Sequence, residues 1–391
     1  MKVLIYAHNF APSVGGVEMI ARELAVGLAR LNRGNNLALT SFDVTLLTET
    51  AAAGLDDSKW CFRIVRHPKF STWLREISKA DTIELEGPAL LPQFLSWIMR
   101  KRLVIRHHGY QAVCPNGLMI VQSDRSVCPG HFLARRYGRC INCNAANSSR
   151  FASLRNLILT FPRRWFARQA LVNICVSRYL AKILALPYTM TISNGVPVPP
   201  EPYRREGISS PPRFAFVGRL VHEKGVEVLL RAASHLASEG REFLIDIIGD
   251  GPERSRLEIL TEELLLRDRV RFLGSMRDAG LEAALQGILA AVMPSLWAET
   301  FGLAAVEQMM RGRALVVSDI GALSEVVGNA ALKFPPGDVG SLAACLGRLL
   351  DDPTLSAVLG QAGRQRVEVQ FSNEQMIAQT ARLYESLLQI Q

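Results

Sequence analysis

The chain has 391 residues, 49% of them apolar and 21% charged, so it folds around a large core and is no disordered polymer. Lysine and arginine outnumber the acids 45 to 36, a formal charge of +9, and no apolar run reaches the length of about 18 residues that spans a bilayer. Seven unevenly spaced cysteines exclude a secreted disulfide scaffold. The apolar stretch at 3–7 lacks the length and cleavage site of a signal peptide. A cytoplasmic α/β protein is the starting expectation.

Short β-branched runs alternate with amphipathic stretches along most of the chain. Residues 2–7 (KVLIYA) read as a strand, and Val17, Ile20, Leu24, Leu28 and Leu31 then fall on one helical face. Further strands are predicted at 43–48, 61–65, 82–85, 103–107, 171–176 and 189–193. Helices are predicted near 71–79, 89–101, 150–169 and 177–186. This spacing predicts a parallel sheet with helices on both faces. The stretch 194–212 holds six prolines and two glycines and cannot be a regular element. Residues 34–42 stand as an insertion before the second strand.

Beyond the break the alternation restarts, with strands at 213–218, 243–248, 270–273, 289–293 and 314–318. The chain thus reads as two doubly wound α/β domains, 1–195 and 196–372. A last helical pattern at 373–391 lies too far beyond the final strand to serve as a crossover and is expected to pack back on the first domain. Two such domains facing each other form a cleft, and ligands bind beyond the carboxyl ends of parallel strands.

Three loops at such ends carry chemistry. Ser13-Val14-Gly15-Gly16-Val17-Glu18 follows the first strand and opens a helix, where amides can meet an anion. A tight turn needing positive φ is the competing reading for Gly15 and Gly16. Gly218-Arg219-Leu220 and Glu223-Lys224-Gly225 put two cations at a helix start. That is against the helix dipole unless an anionic ligand sits between them or both are merely solvated. In the run from Met293 to Glu307, Glu299 precedes a helix that starts near Gly302, and the amides of Thr300 to Leu303 point out of its N-terminus. Glu299 and Glu307 are then placed to accept from sugar hydroxyls, although a favourable charge at a helix start and a solvated face explain each singly.

These motifs, with GDGP at 249–252, VRFLG at 270–274, Glu325 and PPGD at 335–338, resemble the family-four retaining glycosyltransferases of the GT-B fold (glycosyl transferases group 1) over nearly the whole second half. The resemblance implies two Rossmann-like domains facing a cleft, the first binding the acceptor and the second a nucleotide-diphosphate sugar. It implies that Arg219 and Lys224 hold the diphosphate, Glu307 the ribose, and Glu299 the donor sugar. The amides of Phe301, Gly302 and Leu303 would complete that site. In the looser first half, Gly15 and Gly16 match the family's glycine loop near donor phosphate and acceptor. His108-Gly109-Tyr110 before Cys114-Pro115 is similar to a His-Asp-Tyr pattern, with His108 at the active-site histidine and Gly109 in place of the aspartate. Strand alternation leaves open an exchange of roles between His107 and His108.

Cys114, Cys128, Cys140 and Cys143 suit a structural zinc ion or are four unrelated thiols. Cys61, Cys175 and Cys345 lie in apolar runs and read as core. Residues 100–178 hold fourteen lysines and arginines against one acid, Asp124. Phe151, Leu154, Leu157, Ile158, Phe161, Trp165 and Phe166 interleave with them. The mixture fits peripheral contact with an anionic membrane at its inner face, where a lipid-linked sugar acceptor would lie. A nucleic acid would be drawn to the same charge, but none is expected as a partner; the plainer reading makes the apolar residues core and the arginines solvated.

No Asp-x-Asp motif occurs, and the expected transfer needs no metal cofactor. Cations and helix amides would stabilise the departing diphosphate, and domain closure would bring His108 and Gly16 to the donor. A sugar-nucleotide epimerase or phosphorylase on the same plan is separated from this by product analysis without acceptor. A non-enzymatic binder of acidic polymers predicts steep salt dependence and no turnover.

Overall fold

The chain divides into two compact units, residues 1–195 with 372–391, and residues 196–371. The computed structural model describes every residue except 14, 32–39, 122, 124, 146–148, 200–206 and 390–391. Most of the expected insertion at 34–42, the centre of the proline-rich break and Asp124 therefore lie outside the described residues.

In the first unit, β1 (Lys2–Tyr6), β2 (Asp43–Thr48), β3 (Arg63–Arg66), β4 (Thr82–Glu86) and β5 (Arg102–His107) precede a hairpin of β6 (Ile120–Val121) and β7 (Ser126–Val127). Strands β8 (Val172–Cys175) and β9 (Thr189–Thr191) follow. Seven of these form one parallel sheet in the order β3-β2-β1-β4-β5-β8-β9. Helices α1 (Gly16–Leu31), α2 (Phe70–Lys79), α3 (Leu90–Ile98), α4 (Tyr137–Ala145), α5 (Arg150–Gln169) and α6 (Arg178–Leu184) connect them. α1 forms as its spacing predicts, burying Ile20, Leu24 and Leu28.

The second unit contains β10 (Arg213–Val217), α7 (Val226–Ser238), β11 (Leu244–Ile248), α8 (Arg254–Glu263), β12 (Val270–Gly274), α9 (Asp278–Ala284) and β13 (Ala290–Met293). It continues with α10 (Leu303–Met310), β14 (Leu315–Ser318), α11 (Gly321–Val327), β15 (Leu332–Phe334), α12 (Val339–Asp351) and α13 (Pro353–Gln370). Its six strands are parallel in the order β12-β11-β10-β13-β14-β15. The central strands β10, β13 and β14 are buried on both faces, as in Phe214, Val292 and Val316, which is why they read as largely apolar runs.

The last helix, α14 (Asn373–Leu388), lies in the first unit. Its Tyr384 donates to Glu84 on β4, and Arg106 on β5 donates to Thr380 at 2.9 Å. The two strands "TIELE" and "RLVIRH" thus bury three charges, Glu84, Glu86 and Arg106, all with no side-chain exposure.

Periodicity did not reveal the hairpin, α4 or β15, because pieces of two to nine residues carry too little of it. Cys61 is also a correction: it is exposed, since β3 starts only at Arg63 and the cysteine sits in the loop before it. Cys175 and Cys345 are buried as expected. The plainer reading of the aromatic segment fails as well. Phe151, Leu154, Ile158, Phe161 and Trp165 are exposed on α5, whereas Leu157 is buried and Phe166 partly so. Of the fourteen cations counted there, Arg106 is fully buried.

Candidate active site

Strand order decides where the second unit can hold a ligand. From β10 the chain winds outward through β11 and β12, then returns to β13 on the other side and winds outward through β14 and β15. The loops that leave β10 and β13 therefore diverge at one switch point, with adjacent carboxyl ends. Arg219 and Lys224 are on the first loop, and Glu299 to Leu303 are on the second.

The two loops touch. Leu296 donates its amide to the carbonyl of Glu223 at 2.9 Å. Gly225, between a 3-10 turn (His222–Lys224) and α7, sits at φ +67°, and a Cβ there would collide with the carbonyl of Pro294. Glycine is needed for both the left-handed backbone and the approach. On the other side, Leu220 donates to the carbonyl of Asp250 and accepts from the amide of Glu253, so the GDGP turn holds the Arg219 loop in place.

This contact brings Lys224 and Glu299 together. Lys224 Nζ donates to Glu299 Oε1 at 2.8 Å, and Ser295 Oγ donates to the same oxygen at 2.8 Å. The lysine side chain is 28% exposed and the carboxylate 13%. Glu299's own carbonyl accepts from Ala322 on α11 at 2.8 Å. Phe301 is buried, edge-on to Phe371, and pins the loop so that Gly302 can cap α10 at φ +94°. The amides of Phe301, Gly302 and Leu303 take no partner among the described residues, as the first amides of a helix do until an acceptor arrives. Thr300 lies in the same loop.

Arg219 is exposed, beside the buried Leu220. Glu307 lies one turn inside α10. Burial pushes its carboxyl above the ordinary range, Arg311 opposes this, and Glu282 adds to it. Beside these loops a hollow of about 310 Å³ is lined by Val221, His222, Gly225, Leu296 and Gly337 among others.

The first unit has a switch point of its own, between β1 and β4. Gly15 and Gly16 follow β1. A Cβ on Gly15 would meet only the carboxylate end of the Glu18 side chain, which can swing aside, so packing does not by itself demand glycine there. Glu86 ends β4, and His108 directly follows β5. His108 Nε2 lies 2.5 Å from Glu86 Oε2, with the histidine side chain 10% exposed and the glutamate fully buried. Arg106 stands 3.8 Å behind the other Glu86 oxygen.

Alternation separates the two histidines. His107 is fully buried, with Nε2 2.9 Å from Asn173 Oδ1, and burial drives its pKa down from 6.5 to about 4. The Asn173 bond opposes that shift and His108 adds to it. His107 is therefore a neutral interior residue, and His108 is the one at the strand end. Glu86 and Ser295 were not singled out from sequence. Two carboxylates, Glu84 and Glu86, alternating with Ile83 and Leu85 in a buried strand were a usable signal for Glu86; nothing local marks Ser295.

The four cysteines, two in loops and two on α4, gather in one place: burial first, then Cys114, Cys128 and Cys143, push the Cys140 thiol up to about 12. They are not set as metal ligands. Cys114 donates to Asn116 Oδ1 at 2.9 Å, Cys143 to the Ile120 carbonyl at 3.1 Å, and the Asn116 amide reaches Cys143. With that side chain between two of the sulfurs, no group of three or more His, Cys, Asp or Glu among the described residues is arranged to hold a metal ion.

Residues 203–366 match the family described as glycosyl transferases group 1. The chain is 30% identical over 233 residues to a 2-deoxystreptamine glucosyltransferase of Streptomyces kanamyceticus, covering 55% of this chain and 60% of that protein. The chain spans about half the length of the curated relatives it matches. Among solved structures, sucrose-phosphate synthase from Thermosynechococcus elongatus superposes with a TM-score of 0.70 at 20% identity, over 100% of both chains. HepE of Anabaena, in complex with UDP, gives 0.70 at 17% identity over 99% of this chain and 100% of its own. These likenesses identify the fold as GT-B, with two Rossmann-like domains.

Proposed function

From the match of residues 203–366 to the glycosyl transferases group 1 family we propose that the protein moves a sugar from a nucleoside-diphosphate sugar to a hydroxyl of a sugar or lipid-linked sugar, with retention of configuration. The observation that carries the reading is the Lys224–Glu299 pair, set beside the open amides of α10 at the switch point of the second unit. A cation, oriented amides and a carboxylate in one loop pair suit a diphosphate joined to a polyol.

In this reading Arg219, Lys224 and the α10 amides take the charge that builds on the departing diphosphate. Glu299 accepts from donor-sugar hydroxyls. Glu307, whose charge is disfavoured by burial, gains from ribose hydroxyl donors. The bond from the anomeric carbon to the diphosphate oxygen breaks on the face where the acceptor oxygen bonds, and the acceptor's proton passes to the departing phosphate. The first unit serves the acceptor, with His108 oriented by Glu86. Support for the donor class comes from the glucosyltransferase relative and from HepE, whose fold is shared and which was solved with UDP.

The experiment is a thermal-shift panel of nucleoside diphosphates, UDP first, followed by turnover of the matching sugar nucleotides with anomeric assignment of the product by NMR. Stabilisation by one diphosphate and a retained anomer are expected. No stabilisation by any of them overturns the donor site, and an inverted anomer overturns retention.

A further inference from the structure

Two neighbouring helices of the first unit are built the wrong way round for a water-facing surface. On α5 the exposed stripe is Phe151, Leu154, Ile158, Phe161 and Trp165, at steps of three and four, with Phe151 79% exposed. The face turned inward carries Leu157 and Ala167 together with Ser153 and Thr160, both fully buried, whose hydroxyls bond back to the carbonyls of Ser149 and Asn156. α3 repeats the inversion. Leu91, Phe94, Trp97 and Ile98 face outward while Gln93 and Ser96 are buried. Ring contacts join the helices, Trp97 to Trp165 at 5.3 Å and Phe94 to Phe166 at 6.3 Å, so the two stripes form one apolar face. A patch of that kind marks an interaction site.

Its charge selects the occupant. Neither α3 nor α5 contains an aspartate or glutamate, and Arg155 and Arg168 lie on the same exposed side of α5. Beyond Trp97 and Ile98 opens a recess of about 900 Å³ bordered by Arg100, Lys101 and Arg102, with Asp81 as its acid. A second copy docked face to face would press these arginines against their own equivalents with no carboxylate on either helix to pair them. Aromatic rings flanked by arginine suit the boundary between lipid headgroups and acyl chains, where the rings enter and the cations remain among phosphates.

We propose that the outward faces of α3 and α5 dock the protein peripherally on an anionic lipid surface, with the recess at Arg100–Arg102 receiving a phospholipid headgroup. The inference goes beyond the sugar-transfer reading, and its test needs no turnover, so failure of one leaves the other standing. No helix among the described residues is long and apolar enough to cross a membrane, so the contact is one of surface insertion.

The test is flotation of the full-length protein with vesicles of phosphatidylcholine alone and with about one-third phosphatidylglycerol. Flotation with the anionic vesicles and little with the neutral ones is expected. Two double variants are compared, Phe151→Ser with Ile158→Ser, and Arg155→Gln with Arg168→Gln. Each should lower the bound fraction roughly tenfold, because each removes exposed groups that supply apolar burial or charge. Added salt should release the wild type. Circular dichroism melts that match the wild type verify that both variants fold. Equal recovery with both vesicle types, or variants that float like the wild type, overturns the proposal. A dimer by light scattering that the Phe151→Ser, Ile158→Ser variant abolishes assigns the face to a second copy and overturns it as well.

Discussion

Lys224 and Glu299, 75 residues apart in sequence, hold each other at 2.8 Å, although each is expected to hold a different part of the ligand. The pair is mostly shielded from water, and Ser295 fixes the carboxylate from below. On the proposed function, an arriving diphosphate would compete with Glu299 for the lysine and free the carboxylate for hydroxyls.

Glu299→Gln removes that competition. Transfer should fall by about a hundredfold, since a charged hydrogen-bond partner of the donor sugar is lost. Affinity for the free nucleoside diphosphate should stay level or rise. Calorimetric titration beside steady-state turnover checks both, and weaker diphosphate binding would count against the exchange of partners.

Lys224→Ala acts on the other side. It removes the cation proposed to face the diphosphate and should weaken diphosphate binding by roughly ten- to a hundredfold, the scale of one charge-assisted contact. Thermal shift with the best nucleoside diphosphate reads the loss; an unchanged shift sinks the assignment.

Glu86 touches His108 and no exposed surface, so it is a positioning residue. Glu86→Gln keeps a hydrogen bond but loses the charge, and should lower kcat about tenfold with KM nearly unchanged. Glu86→Asp should recover part of the rate. A rise in KM with kcat intact would place the effect in binding instead.

The buried Arg106 leans on Glu84 at 2.6 Å and on Thr380 of α14. Arg106→Met leaves Glu84 as a carboxylate without its cation and should destabilise the first unit by about 3–5 kcal/mol. Tyr384→Phe removes the other bond to Glu84 and should cost about 1.5–3 kcal/mol. Denaturant melts with a fluorescence probe of the first unit report both.

His107 ties stability to pH. Its folded pKa, about 4, lies below the ordinary 6.5, so between those values the unfolded chain binds a proton that the folded chain refuses. Stability from this residue is complete above pH 6.5, falls as pH drops toward 4, and levels off below. The loss amounts to about 3 kcal/mol. Chemical melts across that window should show a shallower slope in His107→Gln than in the wild type, and equal slopes would refute the attribution.

The parallel α/β class and the position of most strands were legible because apolar runs buried on both faces are continuous in sequence, as at Ala290–Met293 and Leu315–Val317. The loops at strand ends were legible too, since glycines and charges interrupt those runs at Gly218-Arg219 and at Glu299. Short pieces escaped. The strands of the β6–β7 hairpin and β15 have two or three residues each, too few to establish an alternation.

Sequence by itself determined which residue types end each strand, because burial and backbone geometry leave local marks there. It could not say that Lys224 and Glu299 are partners, that Glu86 stands behind His108, or that the rings of α5 face outward. Those follow from strand order and from which side of a helix meets the sheet. A helix with apolar residues at steps of three and four has the same period whether that stripe faces the core or solvent, and only packing chooses between them.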